Sequence, residues 1–363
     1  MMTETKGRLI EAIIPSGVLT LEMEREDIPL EQALAFAARH NQQRGFLFVS
    51  KLLGRHIPTP PKALREAASA LARKIAAAQP MEPCLFIGMA ETATALGQTV
   101  FREWSHLGGE GFYLDTTRRR TGGKIAFDFN ESHSHAPRHL VHQPESTDDL
   151  HGVFDRAASL IIVDDELTTG RTASELARAY AKYRGAPMAA HLAVLVRWLG
   201  DNSVPLCCHS LLDGRFTFAP SPDFLPESFA PCDAGGPSVA HRGARHGVSI
   251  SPPMPWRPEP PGHILVIGVG EFGFAPFLLA EQIETTGGNS YLQATTRSPV
   301  ALGGAIGHVR RFPAISGEGY EEFLYNVPDD HPYERVILCC EDRLPPPGHP
   351  ILRVPKIECR LAP

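Results

Sequence analysis

Apolar runs and helix-spaced stretches alternate along the first two hundred residues. Residues 29–40 (PLEQALAFAARH) and 61–78 (PKALREAASALARKIAAA) place their apolar side chains on one helical face, the second with proline in the first turn. CLFIG (84–88) predicts a buried strand, and ETATALGQTVFREW after it a helix. FYLDT (111–115), KIAFDF (124–129), ASLIIVDD (158–165) and HLAVLVRW (191–198) read as strands, with a helix over RTASELARAYAKYRG stopped by Gly185. Several of these strands are apolar throughout rather than alternating. That is the pattern of an open, mainly parallel α/β sheet covered on both faces. The same grammar restarts later with HILVIGVG, a helix through Glu281, SYLQATT and RVILCCE (335–341), a smaller Rossmann-like α/β unit.

Between the two units, residues 213–261 hold eleven of the 33 prolines. Proline fixes φ and removes a backbone donor, so this stretch predicts a connector ordered in part by Phe216, Phe218, Phe224 and Trp256. The expected organisation is therefore a domain over 1–212, a Pro-rich connector over 213–261 and a second domain over 262–363. Neither an internal repeat nor a heptad run is visible.

Composition narrows the function class. Lys and Arg total 35 against 41 Asp and Glu, a net charge of −6, so global attraction to nucleic acid or to an anionic membrane is not expected. No apolar run reaches the roughly 18 residues of a spanning helix, and the first residues lack the apolar core of a secretory signal. Seven cysteines, with adjacent pairs Cys207-Cys208 and Cys339-Cys340, form neither a disulfide framework nor a CxxC zinc pattern. These features predict a reduced, cytoplasmic protein acting on small molecules. A homodimer is left open.

The densest chemistry lies in Leu160-Ile161-Ile162-Val163-Asp164-Asp165-Glu166-Leu167-Thr168-Thr169-Gly170-Arg171-Thr172. An apolar strand ends in acids, and a Thr/Gly loop then enters a helix. Ligands of open α/β sheets bind at such carboxyl ends. Backbone N–H groups and hydroxyls at a helix N-terminus suit a phosphate monoester, whereas the carboxylates suit hydroxyls or Mg²⁺. A ligand with a phosphate and a vicinal diol satisfies both. No GxxxxGK[ST] Walker motif is present.

This segment resembles the PRPP-binding signature of type I phosphoribosyltransferases, of the orotate phosphoribosyltransferase-like kind. The resemblance implies that Asp164 and Asp165 hold the ribose hydroxyls, directly or through Mg²⁺. It implies that Thr168, Thr169, Gly170, Arg171 and Thr172 cradle the 5′-phosphate, with PRPP as co-substrate. Glu166 stands where that family often has an apolar residue and is a candidate for the acceptor. Gly88-Met89-Ala90-Glu91-Thr92 falls where the pyrophosphate loop is expected, although Glu91 is unusual there. Residues 116–145 fall where the family carries a mobile hood. Arg118, Arg119, Arg120 and Lys124 could close over pyrophosphate, and Arg119 and Lys124 are the catalytic candidates beside the two aspartates. His133 and His135, with His139 and His142 nearby, are open to acceptor contact, metal binding, general-base work or plain surface. In RGFLFVSKLLGRHIP (44–58), Lys51 and Arg55, with His56 adjacent, are further acceptor candidates.

In the second unit, Gly268-Val269-Gly270-Glu271-Phe272-Gly273 fits GxGxxG after a strand. Glu271 opposes a pyrophosphate there, so the pattern leaves open a plain tight turn, an NADP-type site with Arg297 and Ser298, or another phosphorylated ligand. Thr296-Arg297-Ser298-Pro299 reproduces the tetrad of the TRSP domain, which is found C-terminal to a phosphoribosyltransferase domain. RGFLFVSKLLGRHIP, HSHAP and Asn326-Val327-Pro328-Asp329-Asp330 extend that resemblance over nearly the whole chain outside the connector. Such proteins are associated with bacterial tellurite-resistance-type gene neighbourhoods. The expected activity is Mg²⁺-dependent phosphoribosyl transfer to an unidentified base or heterocycle, making a nucleoside-like metabolite. A non-catalytic PRPP sensor and a C-terminal NADP-dependent reductase are the alternatives. Gly268, Gly270, Glu271, Arg297 and Ser298 are candidates for a separate C-terminal site.

Overall fold

The computed structural model describes residues 7–41, 44–130, 138–144, 150–200, 203–229, 243–317 and 319–363. In chain order the elements are β1 (Arg8–Ile14), β2 (Gly17–Glu26), α1 (Leu30–Ala33), β3 (Leu34–Ala38), β4 (Phe46–Ser50), α2 (Pro61–Ala77), β5 (Cys84–Gly88), α3 (Thr94–His106) and β6 (Gly111–Asp115). They continue with β7 (Ile125–Asn130), β8 (Arg138–His142), α4 (Leu150–Arg156), β9 (Ser159–Leu167), α5 (Arg171–Arg184), β10 (Ala189–Arg197) and β11 (Cys207–Pro220). The last group is β12 (His263–Gly268), α6 (Phe274–Thr285), β13 (Asn289–Ala294), β14 (Val309–Pro313), β15 (Glu321–Tyr325), β16 (Arg335–Cys340) and β17 (Ile357–Leu361).

The main sheet has seven strands in the order β1-β2-β11-β10-β9-β5-β6. The five from β11 to β6 are parallel, and β1 and β2 extend the sheet antiparallel. Leu160, Ile161, Ile162 and Val163 of β9 are fully buried, each worth about 1.5–3 kcal/mol of removed apolar surface. Odd and even positions of β9 feed different cores. Ile161 and Val163 join α2 and α3, whereas Leu160 and Ile162 join Phe154, Leu176 and Tyr180. That two-sided burial accounts for the unbroken apolar run. A second, four-stranded parallel sheet has the order β13-β12-β16-β17. Its helix α6 packs against α2 and α3, so Val266, Phe277 and Ile283 share one core with Leu71, Phe101 and Trp104. No helix among the described residues is long and apolar enough to cross a membrane.

Three expectations need correction. Residues 29–40 are helical only over Leu30–Ala33; Leu34–Ala38 instead pairs antiparallel with β4. Tertiary pairing has overridden a helix-spaced pattern. The expected connector begins inside a strand, since Asp213–Pro220 belongs to β11, wedged between β10 and β2. There Phe216 packs edge-on to Phe46 and Phe48. The later part of the connector is also built in. Arg245 is buried, and Trp256 meets Phe272 and donates to the Leu361 carbonyl at 2.9 Å.

Candidate active site

The apolar half of β9 stops at Val163, and the strand then carries Asp164, Asp165 and Glu166 to the carboxyl edge of the sheet, half-buried. Asp164 Oδ1 accepts the Asp165 N–H at 2.9 Å. Burial and the neighbouring Glu166 push Asp165 up to about 6. Glu166 is engaged by Arg44 at 2.5 Å, and that guanidinium lies 4.9 Å from the Phe46 ring centre. Left-handed Gly170 then leads into α5, whose first turn has no side-chain cap. The Arg171 N–H reaches Thr169 Oγ1 at 3.4 Å, and the first-turn N–H groups suit an anion at the positive end of the helix. Thr168, Thr169, Arg171 and Thr172 line the same cavity as the two aspartates.

The loop after β5 meets this cavity from the side. Met89, Ala90, Glu91 and Thr92 line it, held by the Met89 N–H on the Val163 carbonyl (2.9 Å) and the Ala90 N–H on Thr116 Oγ1 (2.8 Å). Gly88 has another reason to be glycine. A Cβ there would sit 2.1 Å from the Tyr113 hydroxyl, so it makes room for the buried Tyr113–Asp115 pair rather than for a ligand. Glu91, unexpected in an anion loop, is neutralised within the protein. Its carboxylate lies 3.3 Å from Arg55 Nη1 and 3.5 Å from Arg297 Nε.

Arginines close the cavity from three segments. Arg39, Arg44 and Arg55 come from the N-terminal region, Arg118 from the stretch after β6, and Arg297 from the TRSP tetrad together with Thr296 and Ser298. With Arg171 that makes six arginines against four acids, Glu91, Asp164, Asp165 and Glu166. The excess of positive charge suits a polyanion carrying its own cation. His56 and His139 also line it. His139 is buried on the Phe129 ring with Nδ1 3.1 Å from Thr116 Oγ1. Burial, with Arg55 and Arg39 nearby, lowers His56 to about 3, so its ring is neutral at pH 7.

Several candidate residues lie elsewhere. Arg119 turns to Asp342 at 3.3 Å and Glu341 at 3.6 Å, away from the cavity, and Arg118 takes the cavity-facing place. Lys124 is exposed and outside the lining. Lys51 donates to the Glu31 carbonyl at 2.8 Å, fastening α1 rather than facing a substrate. His142 stacks on His246. His133 and His135 lie outside the described residues.

Of the C-terminal candidates, Gly270, Glu271 and Arg297 border one small cavity with Tyr320 and Glu322, while Gly268 does not. A Cβ on Gly268 would lie 2.1 Å from the Phe272 carbonyl, so that glycine serves the turn itself. The Gly270 carbonyl accepts from Arg55 at 2.7 Å. Glu271 swings into the main domain, where it accepts from Thr117 Oγ1 (2.5 Å), the Arg118 N–H (2.8 Å) and Arg245 Nη2 (3.1 Å). Burial alone would raise its pKa, but Arg245 and Arg297 with these donors bring it down to about 2. Glu271 thus pins two parts of the chain together where a dinucleotide pyrophosphate would sit, which removes the reductase reading. Arg297 and Ser298 also line the cavity that holds Asp164 and Asp165. Arg39 and the Arg245 partner of Glu271 had no legible sequence signal, because each is defined by what it meets across the fold.

The family model described as phosphoribosyl transferase matches residues 33–207, and the model of the TRSP domain C-terminal to it matches residues 255–349. Among solved structures, the chain is similar to an adenine phosphoribosyltransferase from Rhodothermus marinus at 15% identity, covering 51% of this chain and 96% of that one with a TM-score of 0.34. It is also similar to a hypoxanthine phosphoribosyltransferase from Trypanosoma cruzi in complex with the product IMP, at 14% identity over 46% and 82% of the two chains, TM-score 0.27. Comparison with curated proteins returns no match. The two family models together match about three quarters of the sequence, in the order that the motifs imply. The chain thus carries a phosphoribosyl transferase domain followed by a TRSP domain.

Proposed function

We propose that the enzyme transfers the 5-phosphoribosyl group of PRPP to a nitrogen of a base or small heterocycle and releases pyrophosphate. The observation that carries this reading is the one cavity shared by Asp164, Asp165, Thr168, Thr169 and Thr172, the loop 89–92 and the arginines Arg55, Arg118 and Arg297. The α5 N-terminus with Thr168, Thr169 and Thr172 would seat the 5′-phosphate, and Asp164 and Asp165 the ribose diol. Arg118 and Arg297, beside the loop, would take the pyrophosphate as negative charge develops on it. Displacement at C1 passes through an oxocarbenium-like state, so the protein's part is positioning and charge placement rather than covalent attack.

Two adjacent carboxylates facing an open cavity form a hard-oxygen donor set that fits Mg²⁺ bound jointly with a phosphate ligand. Asp164 and Asp165 would hold it, and the ion would supply charge neutralisation on PRPP. Neutral His56 is suited to hydrogen-bonding an acceptor rather than to taking its proton at pH 7. The reading extends to a cytoplasmic enzyme making a nucleoside-like product.

Pyrophosphate release from PRPP and Mg²⁺, followed against a panel of bases and heterocycles, tests the proposal. Release that depends on one acceptor class supports it, and failure of the protein to bind PRPP at all would overturn it.

A further inference from the structure

The opposite, amino-terminal edge of the main sheet carries a cluster with no part in phosphoribosyl transfer. His191 on β10 and Cys207 on β11 are register partners in a parallel pair, and His209 lies two residues beyond Cys207. Side chains two apart on a strand share a face, and register partners do too. The three donors therefore converge. His191 Nδ1 lies 3.0 Å from His209 Nε2, Cys207 Sγ lies 3.8 Å from the same nitrogen, and all three atoms fall within 4.8 Å of one another. The carboxyl end of β10 is six residues away, roughly 20 Å along the strand, so this cluster is remote from the PRPP cavity.

The spacing matches a metal polyhedron. With zinc–nitrogen bonds of about 2.0–2.1 Å and a zinc–sulfur bond of about 2.3 Å, tetrahedral angles place nitrogen donors about 3.3 Å apart and nitrogen and sulfur about 3.6 Å apart. The imidazole planes differ by only 8°, as expected for one ring donating to the other. Two neutral imidazoles and a thiol are the donor chemistry of a borderline-to-soft cation, not of Mg²⁺ or Ca²⁺.

The surroundings favour a cation. Ala77 and Ala78, at the carboxyl end of α2, border the same groove as Cys207 and His209, and a helix C-terminus carries partial negative charge. The nearby cations are already paired: Lys74 with Asp27 at 2.7 Å, and Arg25 and Arg197 with Asp213 at 2.9 and 3.1 Å. Cys207 is exposed, which provides an entry path and room for a fourth, exchangeable ligand. The adjacent Cys208 is on the other face of β11, packed on the α5-side core with its thiol donating to the Leu206 carbonyl.

We propose that His191, Cys207 and His209 form a three-ligand site for a zinc-class divalent cation, which clips β10 to β11 at the end of the sheet opposite the substrate cavity.

The test is a Co²⁺ titration of the full-length, chelator-stripped protein, followed by absorption, with zinc as competitor. The expected result is one equivalent bound, with the visible bands of a tetrahedral ion and a thiolate-to-cobalt charge-transfer band, both displaced by Zn²⁺. Cys207→Ser, at an exposed position that the fold does not need, should remove the charge-transfer band. Cys208→Ser should leave it intact, and His209→Asn should weaken binding at least tenfold. Zinc should raise the melting temperature of the wild type but not of Cys207→Ser. Absence of a charge-transfer band in the wild type, or a band of full strength in Cys207→Ser, would overturn the site whatever happens to the histidine variants.

Discussion

The Glu91 carboxylate is bound by Arg297 through two groups, the backbone N–H at 3.3 Å and the guanidinium Nε at 3.5 Å. Glu91 belongs to the loop expected to handle pyrophosphate, and Arg297 to the tetrad of the second unit. Arg55 joins them from the N-terminal region, donating to Thr295 O at 2.8 Å and to Gly270 O at 2.7 Å. The TRSP domain thus completes the wall of the transferase cavity.

Arg297→Ala should therefore damage phosphoribosyl transfer rather than a separate activity. Loss of one charge-assisted contact, about 1.5–3 kcal/mol, corresponds to a fall of roughly tenfold to a hundredfold in kcat/KM for PRPP. Initial-rate kinetics at varied PRPP would check this, and unchanged constants would return the tetrad to a purely structural role.

Asp164→Asn combined with Asp165→Asn should leave the fold intact, since both side chains are half-buried at a strand end. Binding of Mg²⁺–PRPP should weaken at least tenfold, about 1.4 kcal/mol. Calorimetry gives the affinity and circular dichroism the control; equal affinity in the variant would refute the assignment of this strand end.

Buried carboxylates set opposing limits on stability with pH. Glu271 is depressed to about 2 in the folded protein against about 4.3 in an unfolded chain. Its stabilisation is complete above the unfolded value and is lost as pH falls through 4 toward 2, about 3 kcal/mol in all. Asp115 and Glu322 act in the other sense. Burial raises them to about 8 and about 7, so their protonation adds stability as pH falls from 8 toward 4. Thermal melts should show a maximum between about pH 4.5 and 6. Glu271→Gln should flatten the acid limb; a limb as steep as in the wild type would place its cause elsewhere.

A cut made through a protease site inserted between Ser221 and Pro222 should not yield two separable domains. β11 lies inside the main sheet, Glu271 accepts from Thr117 Oγ1 and the Arg118 N–H across the cut, and α6 shares a core with α2 and α3. The fragments should co-elute on gel filtration and part only in denaturant. Two independently folded fragments after cleavage would contradict the shared core.

The chemistry of 160–172 was legible because strand, acids, loop and helix start are contiguous, and each residue type acts through local backbone geometry. Buried strands such as Cys84–Gly88 and Ile264–Ile267 were legible for the same reason: two-sided burial demands an unbroken apolar run. The helix-spaced residues 34–38 became a strand because pairing with β4 outweighed a weak intrinsic preference, and proline content concealed the end of β11. Neither Glu271's ion pair nor the direction of Arg297 has a sequence signature, since each depends on residues 26 and 206 positions away. His191, Cys207 and His209 were a histidine and a Cys-x-His on two strands until register set them side by side. Local backbone preference and burial are written along the chain. Which side chains meet across it is decided only when the sheets stack and their registers lock.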